Sequence, residues 1–370
     1  MSVTPRDVLN ALKAVVDPRS GKDIVRLNMV RHLQVSEGEI SFELLLQDPG
    51  TEFAAACKGL SENALRDAGI ATPVRIEVDN VMIGLGDDLQ IDGSSSRPAL
   101  GQGVINTIAV ASGKGGVGKS TVSVNLAVAL AAQGYDVGLV DTDIYGPSIP
   151  TMLGVQGARP RVNDDRKIVP VEKYGVKLLS MGFLVDEDKA VIWRGPMVSN
   201  AIRQFLGETD WGDLDYLVMD LPPGTGDIQL TIVQTVSLSG AIIVSTPQDV
   251  ALADARKGVA MFRQVDVPVL GIVENMSYFT PPDLPDRKYY LFGKSGARRL
   301  ADSLEVPFLG EIPIEQRIRE LCDEGEPIAS TKSDSPGAQA FRHLATQVAA
   351  QVELRNADLE PTQKVEILYR

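Results

Sequence analysis

Cysteine is nearly missing from this chain: 370 residues carry only Cys57 and Cys322. A disulfide framework is thereby excluded, and both are expected to be free thiols. Histidine is as scarce, and neither His32 nor His343 stands at metal-ligand spacing to a cysteine or to the other histidine. Uncharged apolar runs stay well short of the ~18 residues that a membrane-spanning helix needs. The opening MSVTPRDVLNALKAVVD lacks the basic-then-apolar pattern of a secretory signal, so a cytoplasmic location is expected. Positive charge is in short supply too, with 36 Lys+Arg against 49 Asp+Glu and a net charge of −13. A chain of that charge repels nucleic acid and anionic membranes, so neither is expected as a partner. Any phosphate ligand therefore needs a dedicated local site.

What is present divides into two parts. Residues 4 to 16 place Val8, Leu9, Leu12, Val15 and Val16 at helical spacing, and DPRSGKD supplies a turn before IVRLNMV and EISFELLLQ, which read as a hairpin. A second helix fits 51 to 69, with Phe53, Cys57, Leu60 and Ala64 on one face, followed by the strand VRIEV. These elements predict a small α+β domain over 1–92. Residues 93–103, rich in Gly, Ser and Pro, have the composition of a linker. From 104 the pattern changes to continuous apolar runs (INTIAVAS, VGLVD, YLVMD, AIIVST, VLGIVEN) alternating with helical stretches. Such runs suit strands buried on both faces, which predicts an α/β domain over 104–353 with a doubly wound, mostly parallel sheet. A polar tail, peripheral to the fold, is expected over 354–370.

The sharpest motif is GKGGVGKS, residues 113 to 120, between the run INTIAVAS and a helix expected over about 121 to 133. Strand, glycine-rich turn and helix in that order make a phosphate cradle. Gly113, Gly115, Gly116 and Gly118 let successive backbone N–H groups turn inward, and the helix directs its positive end at the same anion. Lys119 is placed to reach β and γ phosphates, and the Ser120 hydroxyl can ligate Mg²⁺. Asp141 and Asp143 end the next strand, and Asp220 follows YLVM, so all three carboxylates are delivered to the strand ends where ligands bind. Mg²⁺ prefers oxygen ligands and an attacking water needs an acceptor, so acidic groups suit this position. Gly224 and Gly226 permit a loop that can move with the γ-phosphate, a candidate switch segment.

Lys114, directly after the first glycine, is not required by the general pattern. With it the motif resembles the deviant Walker A ATPases, among them MinD, ParA and the nitrogenase iron protein. The stretch from Trp211 through Asp227, WRGPM at 193 to 197 and ENMSYF at 274 to 279 resemble the Mrp/ApbC branch of that group. DPRSGKDIVRLNMV resembles the small SufT-like domain that often precedes the ATPase in that branch, so the likeness covers residues 4 to 350. It implies a homodimeric, Mg²⁺-dependent ATPase that binds an iron-sulfur cluster labilely and passes it to apoprotein clients or assembly proteins. ATP would be held by Gly113, Lys114, Gly115, Gly116, Val117, Gly118, Lys119, Ser120 and Thr121, with Asn275 on the adenine edge. Lys114 would touch phosphate across the dimer, Asp143 would position the water, and Ser120, Asp141 and Asp220 would serve the Mg²⁺. Many members of the branch carry a CxxC pair soon after ENMSYF that holds a bridging cluster between subunits. Here the stretch reads TPPDLPDRKYY, with no cysteine. A second reading follows from that departure: an ATP-driven dimeric switch or adaptor that binds clients without carrying a cluster. Cys57 and Cys322 each fall on an apolar helical face and read as small core residues.

Overall fold

A computed structural model describes residues 3–36, 38–46, 51–80, 103–143, 146–183 and 195–359. The chain divides into two compact units, Met1–Pro98 with Ala349–Pro361 and Ala99–Val348 with Thr362–Arg370. The expected linker lies outside the described residues except for Gly103.

In the first unit the helix Pro5–Leu12 starts on a capping box, Thr4 accepting from the Asp7 N–H while the Asp7 carboxylate accepts from the Thr4 N–H, with Pro5 in the first turn. It ends sooner than the apolar spacing predicts. Val15 is buried beyond the helix, whereas Val16 is 46% exposed in a bridge to Asp23. Strands β1 (Val30–Val35) and β2 (Ile40–Leu46) form an antiparallel pair, and β3 (Val74–Asn80) joins β2 in parallel after the helix Glu52–Asp67. The first strand is VRHLQV and not the expected IVRLNMV: Asp23 Oδ1 accepts from the Val25 and Arg26 N–H groups and starts a turn over residues 24–28. That helix buries Ala54, Cys57, Ser61 and Leu65, so its inner face is turned from the predicted one and Leu60 is exposed. Ser61 is tolerated inside because its hydroxyl donates to the Cys57 carbonyl at 2.8 Å. A polar tail is expected over 354–370, yet the helix Pro336–Asp358 runs into its first residues; positions 360–370 lie outside the described residues. Its last turns belong to the first unit: Ala357 joins that core, Glu353 pairs with Lys13 at 2.8 Å, and the Asn356 carbonyl accepts from Arg31. Val352, Asn356 and Ala357 recur at helical spacing on a buried side, a periodicity that the surrounding charges mask in the sequence.

The second unit is built on one eight-stranded sheet. In chain order its strands are β4 (Val104–Ala111), β5 (Val137–Asp141), β8 (Val171–Lys173), β9 (Val176–Ser180), β10 (Leu214–Asp220), β11 (Gly240–Ser245), β12 (Val269–Glu274) and β13 (Phe308–Glu311). A two-stranded ribbon, β6 (Arg161–Val162) and β7 (Ile168–Val169), falls between β5 and β8. The spatial order is β13-β12-β11-β4-β10-β5-β9-β8, parallel throughout except for β8 at the edge. Every residue of β5, β10 and β11 is buried, which explains why those runs read as continuously apolar. The chain leaves β4 toward β5 and later leaves β10 toward β11, on the opposite side. Doubly wound sheets open their ligand crevice where the winding reverses, at the carboxyl ends of these strands. Register sets Asp220 opposite both Val110 and Asp141 there.

Candidate nucleotide site

The loop after β4 turns on two glycines in the left-handed region, Gly116 at φ 81° and Gly118 at φ 80°. Gly118 is the N-cap of the helix Lys119–Ala132, and no side chain caps that end. Its first N–H groups are therefore free to face an anion. Gly118 has a second reason to lack a side chain: a Cβ would stand 2.2 Å from Asn275 Nδ2. At Gly113 a Cβ would meet the Asp254 carbonyl carbon at 2.2 Å, so the helix Asp249–Gln264 packs directly against the loop. The helix Lys119–Ala132 is buried nearly all round, as its apolar sequence suggests.

Four predicted residues converge beneath the loop. Lys119, 6% exposed, places Nζ 2.6 Å from Asp220 Oδ2, and Ser120 Oγ donates to the same oxygen at 2.7 Å. Asp220 is fully buried, and Thr142 donates to its carbonyl through both N–H and hydroxyl. Asp141 lies beside it, accepting from Ser180 Oγ at 2.9 Å and from the Asp143 N–H at 3.1 Å. Burial, together with the neighbouring Asp220 charge, pushes the Asp141 carboxyl up to about 7. Hydroxyl and carboxylate oxygens side by side, with a second carboxylate adjacent, make the hard-oxygen donor set that suits Mg²⁺. Asp143 is half-buried and lines a cleft of about 270 Å³ with Pro222, Pro223, Gly226, Asp227, Ile228 and Gln229. The Gly224 N–H donates to the Ser112 carbonyl, tying the candidate switch segment to the glycine loop.

The remaining predicted residues sit differently. Lys114 is half-buried, and among the described residues no carboxylate pairs with its side chain. Thr121 gives its carbonyl to Asn125. Asn275 follows β12 and donates Nδ2 to the Val117 carbonyl at 2.8 Å, so its amide buttresses the phosphate loop from below. Sequence reasoning missed Ser123, whose hydroxyl donates to Asp220 Oδ1 at 2.6 Å, and Ser180 and Gln229. Ser123 stands one helical turn after Lys119, which was a usable signal; the other two carry no motif.

Among the described residues no three or more His, Cys, Asp or Glu side chains group to hold a metal ion. Cys57 and Cys322 are buried, each in its own unit, and burial pushes both thiols up. Where a CxxC pair is absent, residues 282–294 form an exposed loop carrying Leu284, Tyr289, Tyr290, Leu291 and Phe292. It is held by paired N–H and carbonyl groups of Phe279 and Tyr289 and by Lys288 over the Tyr278 ring. Among the described residues no helix is long and apolar enough to cross a membrane.

Known proteins resemble this chain. The profile of the NUBPL iron-transfer P-loop NTPases fits residues 103–349. The chain belongs to that family. Residues 5–78 of this NUBPL-type NTPase fit a second profile, that of iron-sulfur cluster assembly proteins. An iron-sulfur cluster carrier protein of Synechocystis is 48% identical over 95% of this chain and 99% of its own length. One of Deinococcus radiodurans is 45% identical over 96% and 98%. Among solved structures, a nucleotide-binding protein of Archaeoglobus fulgidus in complex with ADP is 44% identical, covers 60% of this chain and 87% of its own, and has a TM-score of 0.54.

Proposed function

We propose that this NUBPL-type NTPase is a cytoplasmic, homodimeric ATPase that carries iron-sulfur clusters and delivers them to apoprotein clients. The observation that carries the nucleotide half is the buried Lys119–Ser120–Asp220 cluster at the foot of the glycine loop. Lys119 and Asp220 neutralise one another in that cluster, and a polyphosphate offers the lysine a more highly charged partner. Lys119 then holds the β and γ phosphates while the N–H groups of the loop and of the helix start surround them. Bound Mg²⁺ would supply charge neutralisation across the phosphates, with Ser120 and Asp220 as its oxygen partners and Asp141 behind them. Asp143 accepts a hydrogen bond from the attacking water, and Lys114 reaches the phosphates of the facing subunit. Asn275 reads the adenine edge while steadying the loop.

The cargo half rests on likeness along nearly the whole chain to proteins named as cluster carriers. Cluster is cargo here, bound through thiolates that must come from Cys57 and Cys322 or from an external thiol. The burial of both thiols favours the second reading, an adaptor that switches with nucleotide and holds no cluster itself. Anaerobic reconstitution with iron and sulfide separates them when the parent is compared with a Cys57→Ser/Cys322→Ser variant. Stoichiometric cluster, lost in the variant, supports carriage by this chain's own thiolates. Cluster kept by the variant points to ligands of this chain other than cysteine or to an external thiol. No cluster above background, with ATP hydrolysis intact, establishes the adaptor.

A further inference from the structure

Gln229 is 2% exposed, and its Oε1 has no hydrogen-bond partner among the described residues. A buried amide acceptor left unpaired forfeits its hydration without replacement, so a glutamine kept in that condition calls for a partner from outside the chain. Its position says what kind. Gln229 lies in the first turn of the helix Asp227–Thr235, whose N-cap, Gly226, offers no side-chain hydrogen bond. Only the loop from Leu221 to Gly226 separates that helix from Asp220, and Gly224 fastens the loop to Ser112 beside the glycine turn. Gln229 and Asp143 line the same cleft, whose other walls include Pro222, Pro223 and Ile228. At about 270 Å³ it has room for several waters, each of which takes roughly 30 Å³ in the liquid.

We propose that the Gln229 side-chain carbonyl and the Asp143 carboxylate together seat the water that attacks the γ-phosphate. A water that gives one hydrogen bond to each acceptor has both protons committed, so a lone pair is left directed away from them, toward the phosphorus. In the step itself the water oxygen bonds to the γ-phosphorus as the bond to the β,γ-bridging oxygen breaks. ADP leaves with that bond's electron pair, one water proton ends on the phosphate product, and the other is released. Gln229 takes no proton, because an amide is not basic; it orients. The proline and isoleucine walls offer water no partner, and the third carboxylate or amide of the lining, Asp227, is exposed, which leaves Asp143 and Gln229 as the sheltered acceptors. The inference rests on the ATPase reading and adds to it a second residue that touches the nucleophile.

The test uses the full-length protein with Gln229→Leu and Gln229→Glu, reading single-turnover ATP hydrolysis, affinity for a fluorescent ATP analogue, and thermal unfolding. Leucine fills similar volume without an acceptor, so this variant is expected to melt at or above the parent temperature, to bind nucleotide within about twofold, and to hydrolyse about ten- to hundredfold more slowly. Glutamate restores an acceptor at the same place and is expected to recover at least about fivefold over leucine. A glutamine with a merely structural role would lower stability when lost and would leave the split between binding and turnover unchanged. Hydrolysis by Gln229→Leu within about threefold of the parent, with nucleotide still bound, overturns this inference and leaves the ATPase reading standing. A parent protein that binds ATP and never hydrolyses it overturns both.

Discussion

Replacing Ser123 by alanine tests whether the hydrogen bond it donates to Asp220 holds the site together. The Ser123 hydroxyl is fully buried, 2.6 Å from Asp220 Oδ1 and 3.1 Å from the Lys119 carbonyl. It has one proton, and the shorter contact to a charged acceptor takes it. Alanine removes that donor and leaves a buried carboxylate oxygen without it, whereas Oδ2 keeps Lys119 and Ser120. A hydrogen bond to a charged group contributes about 1.5–3 kcal/mol, and at about 2–4 °C per kcal/mol for a domain of this size the melting temperature should fall by about 3–12 °C. Loss of the same contact lets the Asp220 carboxylate rotate, so the Mg²⁺ concentration for half-maximal ATP hydrolysis should rise while nucleotide affinity without metal changes little. Differential scanning calorimetry and a Mg²⁺ titration of turnover read the two effects. An additional Asp220→Asn change should shrink the cost of Ser123→Ala, because the acceptor is then neutral. A Ser123→Ala protein melting within about 1 °C of the parent, with its Mg²⁺ dependence intact, would refute the assignment of that hydrogen bond.

Three further outcomes follow from the same cluster. Lys119→Ala should abolish ATP binding in calorimetric titration and also lower stability by about 3–5 kcal/mol, because it strands the buried Asp220 charge. Asp143→Ala should keep nucleotide binding and lose phosphate release; sustained turnover would remove Asp143 from the water site. Asp141 binds a proton up to about 7 in the folded chain, against 3.8 as its ordinary value, so between those pH values the folded state holds more proton than the unfolded one. Stability from this group is therefore present below pH ~4 and is lost as pH rises toward 7. In chelator and without nucleotide, Asp141→Asn should raise the melting temperature relative to the parent at pH 8 more than at pH 5; an equal difference at both would contradict the shift.

The phosphate loop was legible because its chemistry is local: glycines, lysine and serine are consecutive, and one strand end and one helix start place them. Asp141 and Asp220 were legible for a related reason, each closing an apolar run that buries a strand on both faces. Ser180, Ser123 and Gln229 were not, because their importance comes from register and helix rotation. Ser180 meets Asp141 only since β9 runs parallel to β5 with those two residues paired. The inner face of Glu52–Asp67 shows the same limit at smaller scale: Phe53 and Leu60 fit an apolar stripe as well as Ala54 and Leu65 do, and contact with the helix Pro5–Leu12 and with β3 selects between them.

Asn275 shows how a local reading and a tertiary one combine. Resemblance assigns its amide to the adenine edge, and the structure engages Nδ2 with the Val117 carbonyl in the phosphate loop. The orientation is fixed by chemistry, since a carbonyl can only accept and only the Nδ2 end can donate. The group left for a base is then Oδ1, an acceptor, which suits the exocyclic amine of adenine and not the carbonyl that guanine presents at that position. One side chain can thus discriminate the base and brace the loop at Gly118, where the contact is so close that no Cβ fits. Asn275→Asp keeps the acceptor and loses the donor. It should therefore retain the preference for ATP over GTP while weakening the affinity for both, whereas Asn275→Ala should lose the preference as well. Competition binding with the two nucleotides measures this directly, and unchanged discrimination in Asn275→Ala would leave Asn275 as a buttress alone.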